Sequence, residues 1–391
     1  MTDAPSRPAP IVIVRVFLIA IAIGFNFALI GPIATRLSGA FDVGLGEVGI
    51  LTTALLVSHA LSQLPAAEPA QRIGPLKLVR LSFVLVTVAN LVAMVSPVFW
   101  LLAVTRLVVG CGTGPVFVGG LDGTRRLGGP FLAGVFGGAA TLGLGIALLV
   151  GGIYDDLGLS WRWMFGTAAL LAAIAAAFGP RDSEEPRPAA GSAAEHLGAV
   201  LRSGPLWRLA MIHSASFGAS LVIGAWVVTH LVDGDATTFV AGMIGLGMLG
   251  IAAVGRPVGG ELAQRGIPWL LLGPASVVVC AAGLFLLALP LPTWAAALVS
   301  LLVGIGLALP FSSVFARSVA VEPRYPAAAI AFVNMSGAVF ALVFTPIAGV
   351  LLDHAEGWAA FALLGVFALA SAVVARDPGG LTAPRPPRAT P

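Results

Sequence analysis

The feature that most constrains this chain is a succession of apolar runs, each about 20 residues long and separated by short polar turns. A bilayer's hydrocarbon core is about 30 Å thick and a helix rises about 1.5 Å per residue, so each run is long enough to cross. The runs fall at 11–34, 45–67, 76–96, 98–121, 130–153 and 161–179, then at 206–231, 238–260, 269–289, 293–316, 327–352 and 357–375. In lipid the backbone polar groups of a spanning segment must be satisfied internally. The expected fold class is therefore an all-α polytopic membrane protein with twelve transmembrane helices.

Composition excludes the competing classes. Only 10% of the 391 residues are charged, against roughly 25% in a soluble domain, too few to coat a water-facing surface. Disorder needs low hydrophobicity, and here 58% of the residues are hydrophobic. The two cysteines, Cys111 and Cys280, sit inside apolar runs and form no disulfide framework. The net charge of +3 gathers into no basic stripe, so nucleic acid is not an expected partner. There is no phosphate-cradling loop, no Cys/His cluster with metal spacing and no pair of polar catalytic groups at one depth. No enzyme activity, cofactor or metal is expected. The basic residues are almost all Arg, which with the Ala and Gly content points to a bacterial chain.

Charge placement sets the orientation. With the N-terminus in the cytoplasm, 18 of the 21 basic residues fall on the cytoplasmic side, Arg72, Lys77, Arg256 and Arg265 among them. Arg36 and Arg162 fall outside, and Arg106 lies within a span. Cytoplasmic loops carry such an excess. Both termini are thus expected in the cytoplasm, and the protein in the cytoplasmic (inner) membrane of a bacterium. The polar stretch 180–205 reads as a cytoplasmic linker. It divides a tail (1–10) and a first six-helix bundle (11–179) from a second six-helix bundle (206–375) and a cytoplasmic tail (376–391).

An internal repeat supports that division. Glu68-Pro69-Ala70-Gln71-Arg72 recurs as Glu261-Leu262-Ala263-Gln264-Arg265, an offset of 193 residues from 68 to 261. At the same offset Arg15 meets Arg208, Gly31 meets Gly224 and Gly49 meets Gly242. A repeat unit of six spans returns in the same orientation, so the bundles are expected as parallel repeats about an axis along the membrane normal.

Local patterns in this frame are similar to those of the major facilitator superfamily. Ala67-x3-Gln71-Arg72-x-Gly74-x2-Lys77 resembles the family's loop motif G-x3-D-R-x-G-x-[RK], with Ala67 and Gln71 in place of its first glycine and its acid. Gln264-Arg265-Gly266 is the second copy. Arg106-x3-Gly110-x-Gly112 matches the family's R-x3-G-x-G pattern, and Trp161-Arg162-Trp163 a common start of its sixth span. The resemblance implies two bundles rocking about a midplane site, with Arg72, Gly74, Lys77, Gln264 and Arg265 in a conformational gate. Asp122, beside Arg125 and Arg126, reads as a further gate or loop salt bridge. Ala147-Leu148 stands where family antiporters carry Gly-Pro, which counts against a drug antiporter. Gln63-Leu64-Pro65-Ala66 resembles the nitrate- and cyanate-porter branches. Nitrate porters place an arginine inside spans two and eight, whereas Arg72, Arg256 and Arg265 read as lying at span ends, which disfavours nitrate.

Ionisable and amide groups are costly at membrane depth and so point to function. Arg106 lies about two turns into the fourth span. His59 and Gln63 share a helix face in the second span, and His213, Ser216 and Ser220 form a stripe in the seventh. Asn26 and Asn334 are isolated amides of spans one and eleven. These eight residues are the candidate substrate-binding and coupling set; Asn90 is left out because its span, the third, is expected to be peripheral. Each also has a packing alternative, with Arg106 tied to backbone carbonyls and the amides and hydroxyls joining helices.

The expected function is secondary active transport of a small polar or anionic solute, with protons as the coupling ion. Since no span centre holds an Asp or Glu, His59 or His213 would carry the proton. The expected partners are a small-molecule substrate, protons and the lipid bilayer, with the chain acting as a monomer. The alternatives are a proton-driven multidrug or metabolite exporter of the same fold and a non-transporting membrane receptor.

Overall fold

The computed structural model describes residues 8–182, 193–353 and 357–376. In the first half α1 (Pro10–Ala28) continues through a 3-10 turn into α2 (Ala34–Phe41), followed by α3 (Leu45–Ile73), α4 (Pro75–Met94), α5 (Phe99–Asp156) and α6 (Arg162–Phe178). The amphipathic α7 (Ala193–Arg202) leads into the second half. There α8 (Gly204–His213) passes through a π turn, Ser214–Gly218, into α9 (Ala219–Asp233). Next come α10 (Thr238–Gln264), α11 (Ser276–Leu287) behind a second π turn, α12 (Thr293–Ala308), α13 (Pro310–Val321), α14 (Pro326–Asp353) and α15 (Gly357–Val374).

Among the described residues nine helices are long and apolar enough to cross a membrane. One of them, Phe99–Gly151, breaks at Gly128–Gly129 and supplies two arms that face each other through Phe117 and Phe136, ring centroids 5.4 Å apart. Arg162–Phe178 and Leu271–Leu287 are shorter apolar helices. Counting the two arms separately and adding the two shorter helices gives twelve apolar helical segments among the described residues, nine of the uncut helices being long enough to span.

Turn chemistry places the breaks. Gly129 sits at φ +63°, a conformation that side chains disfavour, and Pro130 brings no N–H to continue the helical ladder. Glu47 returns its carboxylate to the Gly44 N–H at 2.8 Å to start α3. The Ser203 and Thr237 hydroxyls accept from the Leu206 and Val240 N–H groups at 3.4 and 3.3 Å, capping α8 and α10.

The apolar core shows how the two halves meet. On the side that carries the linker, one cluster draws from both halves, joining Val79, Phe117, Leu132 and Phe136 to Phe217, Phe311 and Ile330. On the far side the core is divided. One cluster around Leu29, Leu51, Ala147 and Phe165 belongs to the first half alone, and another around Val222, Met248, Leu284 and Phe361 to the second. The bundles are thus welded on the linker side and apart on the far side.

Two contacts carry the weld: α3 against α14, and the second arm of α5 against α10. The latter is a backbone-to-backbone approach. A Cβ at Gly138 would lie 2.2 Å from the Ala253 carbonyl oxygen, and one at Gly260 would lie 2.3 Å from that of Pro130. Only glycine permits such contact between helices. Further out it relaxes: a Cβ at Gly145 would meet only the tip of Leu246, at 3.3 Å.

The loop motif keeps its repeat symmetry. Arg72 pairs with Glu68 at 2.5 Å, and Arg265 pairs with Glu261 at 2.9 Å. Gly74 turns the chain between α3 and α4 at φ +95°. Beside it the Asp182 carboxylate accepts from the Leu76 and Lys77 N–H groups at 3.1 and 3.0 Å, tying the start of the linker to the N-terminus of α4. Gln264 Nε2 donates to the Gly128 carbonyl at 3.4 Å, joining the second copy of the motif to the break in α5. Asp122, buried, holds Arg125 at 3.0 Å and Arg126 at 2.6 Å.

Candidate functional site

The polar groups of the helices concentrate where the bundles meet. Gln63 of α3 and Asn334 of α14 are fully buried, and Asn334 Nδ2 donates to Gln63 Oε1 at 2.8 Å. One turn before Gln63, His59 Nδ1 lies 3.1 Å from Thr113 Oγ1 on α5, while Phe27 and Phe117 meet its ring edge-on. Gln63 Nε2, Asn334 Oδ1 and His59 Nε2 have no hydrogen-bond partner.

The repeat-related contact is made by Arg256 of α10, fully buried. Its Nη1 donates to the Gly137 carbonyl at 2.7 Å and to Thr141 Oγ1, both on the second arm of α5. Its guanidinium lies over Phe311 at 4.5 Å and Phe217 at 5.5 Å from the ring centroids. Its Nε and Nη2 have no partner, and among the described residues no carboxylate pairs with it. An unpaired buried cation is costly, so its surroundings suit an anion.

His213 shares this enclosure. It stacks on Phe217 at 5.2 Å and meets Phe315 edge-on at 4.8 Å, and neither ring nitrogen has a hydrogen-bond partner. The Phe217 ring reaches across the bundles to Phe117 at 5.6 Å. The π turn Ser214–Gly218 interrupts the regular helical spacing of the seventh-span stripe. Ser216 and Ser220 turn their hydroxyls back to the carbonyls of His213 and Phe217, at 3.3 and 2.6 Å. They serve the helix backbone here and do not bond across the interface.

Arg106 stands in a different place, inside the first bundle. Its Nη2 donates to the Asn26 carbonyl, and Nε and Nη1 have no partner. Asn26 Nδ2 donates to Ala22 O at 2.9 Å, and Asn90 Nδ2 donates to Asn26 Oδ1 at 2.9 Å. Of the eight candidates, the structure joins Gln63 and Asn334 across the interface; His59 lies one turn from Gln63 among first-half residues, and His213 lies among second-half rings, with Ser216 and Ser220 close by in sequence. Asn26 and Arg106 form a separate group.

One reading from sequence needs correction, and one residue it left out has a structural role. Asn90, left out because its span is expected to be peripheral, is fully buried and holds the Asn26 amide. Arg256 is not at a span end; it lies eight residues before Gln264, the last residue of α10, with no exposed surface. It leaves 17 basic residues in the set assigned to the linker side, so the asymmetry survives. The signal that could have found Arg256 was present: the offset of 193 that aligns Glu68 with Glu261 also aligns Gln63 with Arg256.

Two helical bundles that share a core on one side, separate on the other and bury polar groups between them define a multi-pass transport protein of the membrane. The sequence profile of the Major Facilitator Superfamily matches residues 16–335. The chain belongs to that superfamily, whose members are transporters and not enzymes. The fold is similar to that of the human organic anion transporter MFSD10 (TETRAN), with a TM-score of 0.73 and 17% identity, covering 94% of this chain and 100% of that one. A D-xylose transporter of Levilactobacillus brevis is 24% identical over 157 residues, 39% of this chain. This chain spans only 34% of the length of that relative.

Proposed function

We propose that this chain is a secondary active transporter that moves a small anionic solute across a bacterial cytoplasmic membrane by alternating access. The observation that carries this reading is Arg256. A fixed positive charge is buried between the bundles, bonded to one half while growing from the other, with two donor nitrogens lacking partners. An anion docked there would satisfy the guanidinium and touch both bundles, so its binding would bear on their relative position. The charge asymmetry of the loops supports cytoplasmic termini. With that orientation, the welded linker side and the divided far side correspond to an outward-facing state. His59 and His213 are proposed as the proton carriers, being buried imidazoles on helices that meet at the interface. Domain bounds of 11–179 and 206–375, joined by a linker at 180–205, fit this scheme.

The test is flux. The purified protein in proteoliposomes should accumulate a labelled small anion saturably, and an Arg256→Gln variant that still folds should lose that flux. Movement of D-xylose with equal efficiency in both proteins would contradict the anionic reading. Ligand binding without flux would favour a receptor.

A further inference from the structure

The edge of Arg256 that lacks partners is specific. In a guanidinium, Nε and Nη2 present their N–H groups side by side, the fork that takes a carboxylate through two parallel hydrogen bonds. Those are the two nitrogens of Arg256 without partners, while Nη1 on the other edge is occupied by Gly137 and Thr141. Arg106 differs in this respect. Its Nη2 is used on the Asn26 carbonyl, so the same fork is half filled there.

The surroundings of the Arg256 fork are aromatic. Phe311 and Phe217 lie at 4.5 and 5.5 Å from the guanidinium carbon, and Phe315 and Phe117 extend the wall through contacts at 5.1 and 5.6 Å. Arg256 is the one permanent charge here, because Arg106 is committed inside the first bundle and His213, a proposed proton carrier, is charged only while it holds a proton. One charge balances one carboxylate. A second carboxylate would be buried without a counter-charge, and a polyol would exchange its hydration for ring edges.

Resting on the anionic reading of the transport site, we infer that the substrate is a monocarboxylate with a flat or compact apolar body. The carboxylate sits on the Nε/Nη2 fork of Arg256 and the body packs against Phe217 and Phe311. Selectivity then comes from the aromatic wall, and affinity for the charged head from the fork.

Four probes separate these contributions in the full-length protein in detergent: benzoate, acetate, nitrate and succinate. Benzoate and acetate share the head and differ in the body. Nitrate offers a planar anion with no body, and succinate a second charge. Binding is read from the ligand-dependent rise in melting temperature, which follows affinity by linkage. Benzoate should bind at least about tenfold tighter than each of the other three. Arg256→Lys, which keeps the charge and loses the fork, should weaken benzoate by about tenfold or more. Phe311→Leu should narrow the benzoate-to-acetate ratio by about threefold or more. Tighter binding of nitrate or succinate, weakened by Arg256→Lys, would overturn the monocarboxylate assignment and leave the anionic transporter intact. Binding of none of the four, or binding indifferent to Arg256→Lys, would overturn both. If a variant fails to fold, the order of affinities in the unaltered protein decides the question alone.

Discussion

Gln63 and Asn334 join the two bundles through a buried hydrogen bond of 2.8 Å, and the sequence repeat aligns Gln63 with Arg256, which makes a second buried polar crossing. Both crossings lie on the side that carries the linker, as does the Gln264–Gly128 contact. Gln63→Ala or Asn334→Ala leaves one buried amide partner unsatisfied, which should cost about 1–3 kcal/mol. The double variant should lose less than the sum of the two, with a coupling of about 0.5–3 kcal/mol in unfolding measurements. Strictly additive losses would show that this contact does not hold the weld.

The approach of α5 to α10 leaves no room for a side chain at Gly138, where a Cβ would lie 2.2 Å from the Ala253 carbonyl. Gly138→Leu should hold the linker side apart and reduce flux by at least about tenfold in a protein that still reaches the membrane. Gly145→Ala is the control, since its Cβ would meet only the end of Leu246 at 3.3 Å. Equal flux in both variants would show that closure at Gly138 is not part of the cycle.

Asn90 supplies the donor that holds Asn26 Oδ1, and the Asn26 carbonyl in turn holds Arg106. Asn90→Ala should lower stability by about 1–3 kcal/mol, because a buried acceptor loses its only side-chain donor. Anion affinity, measured by titration on the folded variant, should change by less than about twofold. A large fall in affinity with unchanged stability would place Arg106 and its neighbours in the binding site.

Under the proposed proton coupling the carriers are His59 and His213. Both are buried, and the sequence places no Asp or Glu mid-span. His59→Gln combined with His213→Gln should leave flux down the substrate's own gradient while abolishing accumulation driven by an imposed pH gradient. Accumulation that persists in the folded double variant would remove both histidines from the coupling path.

Much of this was legible in the sequence because lipid imposes it. Run length and charge asymmetry locate the helices, and the repeat from Glu68 to Glu261 locates the halves. What stayed hidden were the partners. Asn90 sits among apolar residues on its own helix, and nothing local says that Asn26 faces it from another. Arg256 lies close enough to the helix end to pass for a loop charge; the repeat that aligns it with Gln63 flags it, and its depth and the neighbouring backbone of Gly137 establish it. The seventh-span stripe assumed a regular helix, and the π turn at Ser214–Gly218 changed which groups face the interface. Which bundle surfaces touch depends on the conformational state, and helical periodicity contains no record of that.

The central claim is that the bundles exchange a closed linker side for a closed far side around Arg256. It can be measured with pairs of spin labels. The native cysteines are Cys111, exposed, and Cys280, buried, so replacing Cys111 gives a quiet background. One pair, at Leu157 and Trp294, reports the far side, and both residues are exposed. The other, at Lys77 and Ile267, reports the linker side from exposed positions. Pulsed distance measurements in lipid should show two populations, with a transported anion shortening the far-side distance and lengthening the linker-side distance in the same sample. Distances on both sides that stay fixed, or shift in the same sense, while the anion still crosses the membrane would contradict the account.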